Sequence, residues 1–288
     1  MRRSVVPVLA VLGFLLLFWY AAAVWLNAPW AYDKATRSGA VLDARSLVLD
    51  TWTQDKPKLP APHQVGAELW ATVVQKNITS KRSLVYHSWV TLSATLLGFA
   101  LGTGLGVLLA VGIVFNRTMD MSVMPWVIAS QTIPILAIAP MIIVVLNAVG
   151  ISGLLPKAMI SMYLSFFPVV VGMVKGLRSP DAMQLDQMRT WHASKAQSFW
   201  KLRLPASMPY FFTSLKIAMA ASLVGAIIGE LPTGAVAGLG ARLLAGSYYG
   251  QTIQIWSALI MAAVLAAAMV GSIGLIQRVT LKRMGMAG

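Results

Sequence analysis

The stretch Leu84–Phe115 reads LVYHSWVTLSATLLGFALGTGLGVLLAVGIVF, with no Asp, Glu, Lys or Arg in it. Crossing the hydrocarbon core of a bilayer takes about 20 apolar residues in helical form, so this run predicts a membrane-spanning helix. Working outward, five further runs behave alike: Val5–Leu26, Met121–Val149, Leu154–Val174, Tyr210–Leu231 and Thr252–Ile276. Helices are the expected form because lipid offers no partner for a backbone N–H or C=O. A barrel would show alternating segments of about ten residues, and none occurs. The whole composition agrees: 58% of the 288 residues are hydrophobic, only 11% are charged, and mean hydropathy is +0.73. Too little charge is present to wet a soluble globule. The expected fold class is therefore an all-α polytopic membrane protein with six transmembrane helices.

The net charge of +14 would point to nucleic acid in a soluble chain. In a membrane chain it reads instead as basic connections held on the cytoplasmic side, and no nucleic-acid partner is expected. With the N-terminus inside, the inner pieces carry Arg2, Arg3, Arg117, Lys175, Arg178, Arg189, Lys195, Lys201, Arg203, Arg278, Lys282 and Arg283. The short outer connections carry only Lys157 and Arg242. Both termini are thus expected in the cytoplasm. The first apolar run is too long for a signal-peptide core, and Trp25-Leu26-Asn27 lacks a small-x-small cleavage pattern, so it reads as a retained anchor. Residues 27–83 would lie outside, with Glu68–Gln75 as a candidate interfacial helix anchored by Leu69 and Trp70. Four divisions follow: helix 1–26, outer segment 27–83, a five-helix core over 84–276, and a cytoplasmic tail 277–288.

Gly98-x-x-x-Gly102 and Gly102-x-x-x-Gly106 permit two helix backbones to approach closely. Packing inside one bundle is the preferred reading over a seam between two copies. Pro125, Pro134, Pro140, Pro156 and Pro168 each remove a backbone donor and can kink a span.

The inner connection 175–208 is long and looks folded. Ser179-Pro180-Asp181 predicts a helix start, with Ser as cap, Pro at the first helical position and an acid on the positive end of the dipole. Met183, Leu185, Met188 and Trp191 then make one apolar stripe. The pattern resets near His192-Ala193, and Ser194-Lys195-Ala196-Gln197 fits a capping box. A second short helix would present Phe199, Trp200 and Leu202 before Leu204-Pro205 ends it. Such a pair offers Met, Trp and Phe either to a partner protein or to the lipid surface.

The text Leu185-Asp186-Gln187-Met188-Arg189-Thr190-Trp191-His192-Ala193-Ser194, followed by Leu202-Arg203-Leu204-Pro205, resembles the EAA loop of ABC importer permeases. That pattern is E-A-A-x-x-x-G, nine residues, then I-x-L-P, and the spacing here is the same. Pro205-Ala-Ser-Met-Pro209, Ala226-Ile-Ile-Gly-Glu230-Leu231 and Ser130-Gln-Thr-Ile-Pro134 are also similar to this family. The branch resembled is that of nitrate, sulfonate and taurine permeases, which includes importers of riboflavin and thiamine-precursor pyrimidines. Two departures stand out: Asp186-Gln187-Met188 replaces E-A-A, and His192 replaces the glycine of the turn. The resemblance implies a type I importer bundle with cytoplasmic coupling helices in the bacterial inner membrane. It also implies two permease copies (a homodimer), two cytosolic ATPases and a periplasmic substrate-binding protein. ATP and Mg would sit in the ATPase, and this chain would bind no cofactor. Coupling would fall to Asp186, Gln187, Met188, Arg189, Thr190, Trp191, His192, Ala193, Ser194, Leu202, Leu204 and Pro205.

Glu230 is the only acid within the expected spans, and intramembrane carboxylates are candidate functional groups. It reads as a gate or path element, or as a structural hydrogen-bond partner. Gln131 and Asn147 would line the path or bond neighbouring helices. Lys216 would snorkel to the inner surface. The Gly-rich connection Thr233–Gly250 would meet a binding protein, dip into the path, or simply flex. No G-x-x-x-x-G-K-[ST] occurs, so ATP hydrolysis by this chain is not expected. His63, His87 and His192 are scattered, no Cys is present, and neither a metal site nor a catalytic residue is expected. An ion-coupled carrier would want a central ionisable group or repeated halves, and neither is visible. A non-transporting membrane scaffold is the third class.

Overall fold

The computed structural model describes residues 2–39, 42–232 and 235–286, with side chains from residue 6 onward. All regular structure among them is helical. Among the described residues five helices are long and apolar enough to cross a membrane, and a bent pair makes a sixth if it is one broken span rather than a re-entrant loop. The chain divides into two units, residues 1–88 with 241–262 and residues 89–240 with 263–288.

In the first unit α1 runs Arg2–Ser38 without a stop at Leu26. The fall in hydropathy there marks where apolar surface ends, not where the helix ends. Asn27 is fully buried, and its amide does structural work. Its Nδ2 donates to the carbonyls of Thr51 at 3.2 Å and Leu59 at 2.8 Å, while Oδ1 accepts from the N–H groups of Lys58 and Leu59. One side chain thereby satisfies an irregular stretch that could not otherwise be buried. That stretch links α2 (Ala44–Thr53) to α3 (Pro62–Trp70). Trp19 donates from Nε1 to the Pro60 carbonyl, and the Tyr20 and Trp52 rings meet edge-on at 5.0 Å. Residues 44–63 are therefore folded along α1. The expected interfacial helix at Glu68–Gln75 is instead the end of α3 followed by a π-turn over Ala71–Gln75.

In the second unit, α4 (Leu84–Phe115), α7 (Leu154–Leu177) and α10 (Leu204–Gly229) pack at their backbones. A Cβ on Gly98 would lie 2.3 Å from Ser161 Oγ, one on Gly102 2.1 Å from Ser165 Oγ, and one on Gly225 2.7 Å from Ser161 Cα. The glycine pattern of α4 thus serves packing within the chain. Ser161 Oγ donates to the Ser222 carbonyl at 2.8 Å, and Ser222 Oγ donates to the Thr95 carbonyl at 2.8 Å. Below these, Phe166, Val170, Met173, Phe212, Leu215 and Met219 form the apolar core.

The expected third span is not straight. It divides into α5 (Arg117–Ser130) and α6 (Ile135–Ala148), whose axes meet at 99°. Pro134 sits at the break as the cap of α6, with φ fixed near −63° by its ring and ψ extended at 119°, and it disfavours helical geometry at Ile133 before it. The connection after α10 is not simply flexible either. Thr233 and Gly234 lie outside the described residues, but Leu239–Tyr248 forms α11, and α12 follows over Thr252–Arg283.

This packing makes a direct prediction. Gly98→Ala places a methyl against Ser161 and the Ala158 carbonyl, whereas Gly104→Ala meets nothing within 4 Å. Overpacking of this kind costs about 1–3 kcal/mol. Thermal unfolding in detergent should show a lower midpoint for Gly98→Ala and an unchanged one for Gly104→Ala.

Candidate functional site

The 178–204 connection builds its hairpin from caps. Ser179 donates its hydroxyl to the Gly176 carbonyl at 2.7 Å and so finishes α7. That commitment shifts the next helix start from the expected Ser179 to Asp181. Asp181 Oδ1 accepts from the Gln184 N–H at 2.8 Å, and its own N–H donates to Gln184 Oε1, a reciprocal capping box. The helix α8 then runs Ala182–Thr190.

His192 sits at the glycine position with φ +52°, the left-handed region, where it is alone among described non-glycine residues. Its N–H donates to the Arg189 carbonyl at 2.8 Å and the Ala193 N–H to that of Met188 at 3.0 Å. These two bonds define a Schellman motif, which satisfies the last carbonyls of α8 while reversing the chain. The motif demands a positive φ, so the missing glycine alters the cost of the turn and leaves its geometry intact.

Ser194 opens the second arm. Its Oγ accepts from the Gln197 N–H at 3.2 Å, and its N–H donates to Gln197 Oε1 at 2.8 Å. Here the expected helix end at Leu204-Pro205 is overturned. The short α9 (Lys195–Ser198) passes through a π-turn over Phe199–Arg203 directly into α10. The Leu204 N–H donates to the Phe199 carbonyl, one residue further back than in an α-helix. The bulge falls where Pro205 has no N–H to offer, so the missing donor breaks nothing.

Side chains then fasten the hairpin. Arg203 donates to the Leu177 carbonyl at 2.8 Å and lies over the Phe115 ring at 5.9 Å. Phe115 meets Phe199 edge-on at 5.6 Å, and Arg178 pairs with Asp120 at 2.8 Å. A cavity of about 310 Å³ lies in the hairpin's crook, lined by Phe115, Leu185, Met188, Arg189, Lys195 and Arg203. Of the twelve coupling candidates, Asp186, Gln187, Arg189, Thr190, Trp191, His192 and Ser194 are exposed; Met188, Ala193, Leu202, Leu204 and Pro205 are half-buried. Asp186 pairs with Arg189 at 2.8 Å on the open surface, where such a pair contributes little. Trp191 is 66% and Trp200 65% exposed. Exposed large aromatics beside a concave surface are available to a partner protein or to the lipid surface. The contribution of Arg203 was invisible in the sequence because its partner is a backbone carbonyl.

The three path candidates do not converge. Gln131 caps α5 at the bend, exposed, donating only to Ser130 Oγ at 3.3 Å. Asn147 borders a cavity at the far end of α6. Glu230, fully buried, follows α10 at the end opposite the hairpin. Its carboxylate accepts from Thr91 Oγ1 at 2.9 and 3.0 Å and from the Gly240 N–H at 2.8 Å. Thr91 Oγ1 accepts in turn from the Leu239 N–H. Glu230 thus pins the start of α11 to α4. The sequence held no sign of Thr91, a neutral residue inside an apolar run.

Comparison with known proteins places this geometry in a lineage. The family described as "Binding-protein-dependent transport system inner membrane component" matches residues 102–286, which contain the whole hairpin and most of the bundle. The formylaminopyrimidine transport permease protein ThiX of Halalkalibacterium halodurans is 34% identical over 63% of this chain and 68% of its own length. The riboflavin transport system permease protein RibX of Chloroflexus aurantiacus is 28% identical over 78% of this chain and 80% of its own. A polytopic helical bundle carrying an exposed, doubly capped hairpin, matched over this length, belongs to the binding-protein-dependent transport system inner membrane components, the permeases of ABC importers.

Proposed function

We propose that this chain works as one of two identical permease subunits in a bacterial inner membrane, with both termini in the cytoplasm. Two cytosolic ATPases grip the hairpin, and a periplasmic binding protein delivers a small solute at the opposite end. ATP and Mg are held by the ATPases. The observation that carries this reading is the hairpin itself: two capped helices, an anchored arginine and exposed Trp191 and Trp200 on the inner connection that carries six Lys and Arg residues. The distribution of Lys and Arg supports placing that face inside.

The mechanical argument follows from continuity. Lys195–Gly229 is one helical stretch of 35 residues, about 50 Å at 1.5 Å per residue. An ATPase that shifts the hairpin moves the near end of this rod, while Glu230 fixes its far end to α4 and α11. Displacement is therefore delivered to the packed α4–α7–α10 interface, which can change only by moving helices as bodies. The cargo is expected to be small and neutral or singly charged, since few charged side chains face the bundle's interior.

Three outcomes are expected. The purified chain alone shows neither ATPase activity nor uptake, and vesicles containing it with the ATPase and binding protein show both; ion-driven uptake by the chain alone would refute the reading. Trp191→Ala and Trp200→Ala each weaken ATPase docking by about 2 kcal/mol, some 30-fold in affinity, and lower uptake and stimulated hydrolysis together. His192→Gly keeps full coupling, because glycine adopts positive φ freely. His192→Val, whose branched Cβ makes that region a genuine outlier, loses coupling in the same vesicle assay.

A further inference from the structure

Where α7 and α10 pack together on their way to the hairpin, they leave a groove of about 570 Å³ between them. Its hairpin end is Lys175 with Tyr210, and its far end is Phe167 with Ile217. Each wall is about 12 Å long, at 1.5 Å per residue from Phe167 to Lys175 and from Pro209 to Ile217. Gly172 sets the floor: a Cβ there would lie 2.4 Å from Ser214 Cβ, so the two helices meet at their backbones. The two hydroxyls inside are spent within α10. Thr213 donates to the Pro209 carbonyl and Ser214 to that of Phe211, each at 2.8 Å. What remains along the walls is hydrocarbon from Phe167, Val171 and Ile217, a lining that holds water poorly. Charge stands at one end only. Lys175 is exposed in the last turn of α7, and its ammonium lies 5.9 Å from the centroid of the Tyr210 ring. Attraction to that ring face keeps it over the groove, while nearby Arg178 and Arg203 are directed to Asp120 and to the Leu177 carbonyl.

We propose that this groove holds an anionic phospholipid of the cytoplasmic leaflet, with one acyl chain along Phe167, Val171 and Ile217 and the phosphate against Lys175. Charge complementarity selects the occupant, since basic pockets between spans on the cytoplasmic side suit acidic headgroups. The groove also runs along the helices, the direction in which a lipid chain lies. A lipid seated there joins the helix that enters the hairpin to the helix that leaves it, and so braces the hairpin's base. The inference rests on the permease reading, which sets the hairpin end in the cytoplasmic leaflet.

The test uses the full chain in nanodiscs of equal parts phosphatidylglycerol, which is anionic, and phosphatidylcholine, which is zwitterionic, read by native mass spectrometry. Phosphatidylglycerol should be retained about fivefold over phosphatidylcholine, the effect of one cation at a charged surface. Lys175→Met should erase the preference and Lys175→Arg should keep it. Lys282→Met, which removes a basic residue from the last turn of α12, should leave it unchanged. Val171→Trp, which fills the groove, should lower retention of both lipids. Should these variants fold poorly, Thr213→Cys in the otherwise native, cysteine-free chain carries a bimane fluorophore. Phosphatidylglycerol brominated on its acyl chains should then quench the bimane more strongly than brominated phosphatidylcholine. A preference that survives Lys175→Met, or equal quenching by the two lipids, would overturn the assignment. So would quenching by neither, the result expected of a groove filled by water or by a second copy. Neither assay needs ATPase, binding protein or cargo, so failure here is distinct from failed uptake in reconstituted vesicles.

Discussion

Everything in the second unit depends on how closely three helices approach at Ser161. Gly98 of α4 and Gly225 of α10 both face this residue with no room for a methyl group, and its hydroxyl bonds to the Ser222 carbonyl across the gap. Lipid gives helices no hydrophobic reason to associate, so dispersion and a few interhelical hydrogen bonds, each worth about 0.6 kcal/mol, must hold them. Such contacts are short-ranged. They resist gradual separation and favour discrete arrangements of whole helices, which is the behaviour that alternating access requires.

The hairpin and the buried carboxylate occupy the two ends of that assembly and have opposite designs. The hairpin is braced internally and open externally, with its helix ends satisfied by caps and Trp191 and Trp200 exposed. Glu230 is closed in on every side and fully spent on local bonds. A buried polar group so occupied is an anchor.

Much of this was readable beforehand because it is local. The Ser194–Gln197 box and the helical form of the apolar runs each follow from a few adjacent residues, and the turn at His192 from the glycine that the resembled family pattern places there. The failures share a different cause, competition for a partner elsewhere in the chain. Ser179 looks like a cap until the Gly176 carbonyl claims its hydroxyl. Asn27 looks like a helix end until the backbone at 51–59 claims its amide. Pro205 looks like a terminator until a π-turn removes the need for its N–H. The bend at Pro134 was legible as a kink, but its size depends on what α6 packs against. The path residues were least legible, since Gln131, Asn147 and Glu230 share polarity and differ only in surroundings.

The π-turn at Phe199–Arg203 has a consequence for how this segment tolerates change. A wide turn is an α-helix with one residue too many, and each residue of an α-helix turns the chain by about 100°. Deleting a residue there would leave a continuous helix while rotating the hairpin against the bundle by more than a quarter circle. Arg203 would lose the Leu177 carbonyl, and both tryptophans would face elsewhere. The segment thus behaves as a phase adjuster between hairpin and bundle: its length sets the angle at which the hairpin is presented.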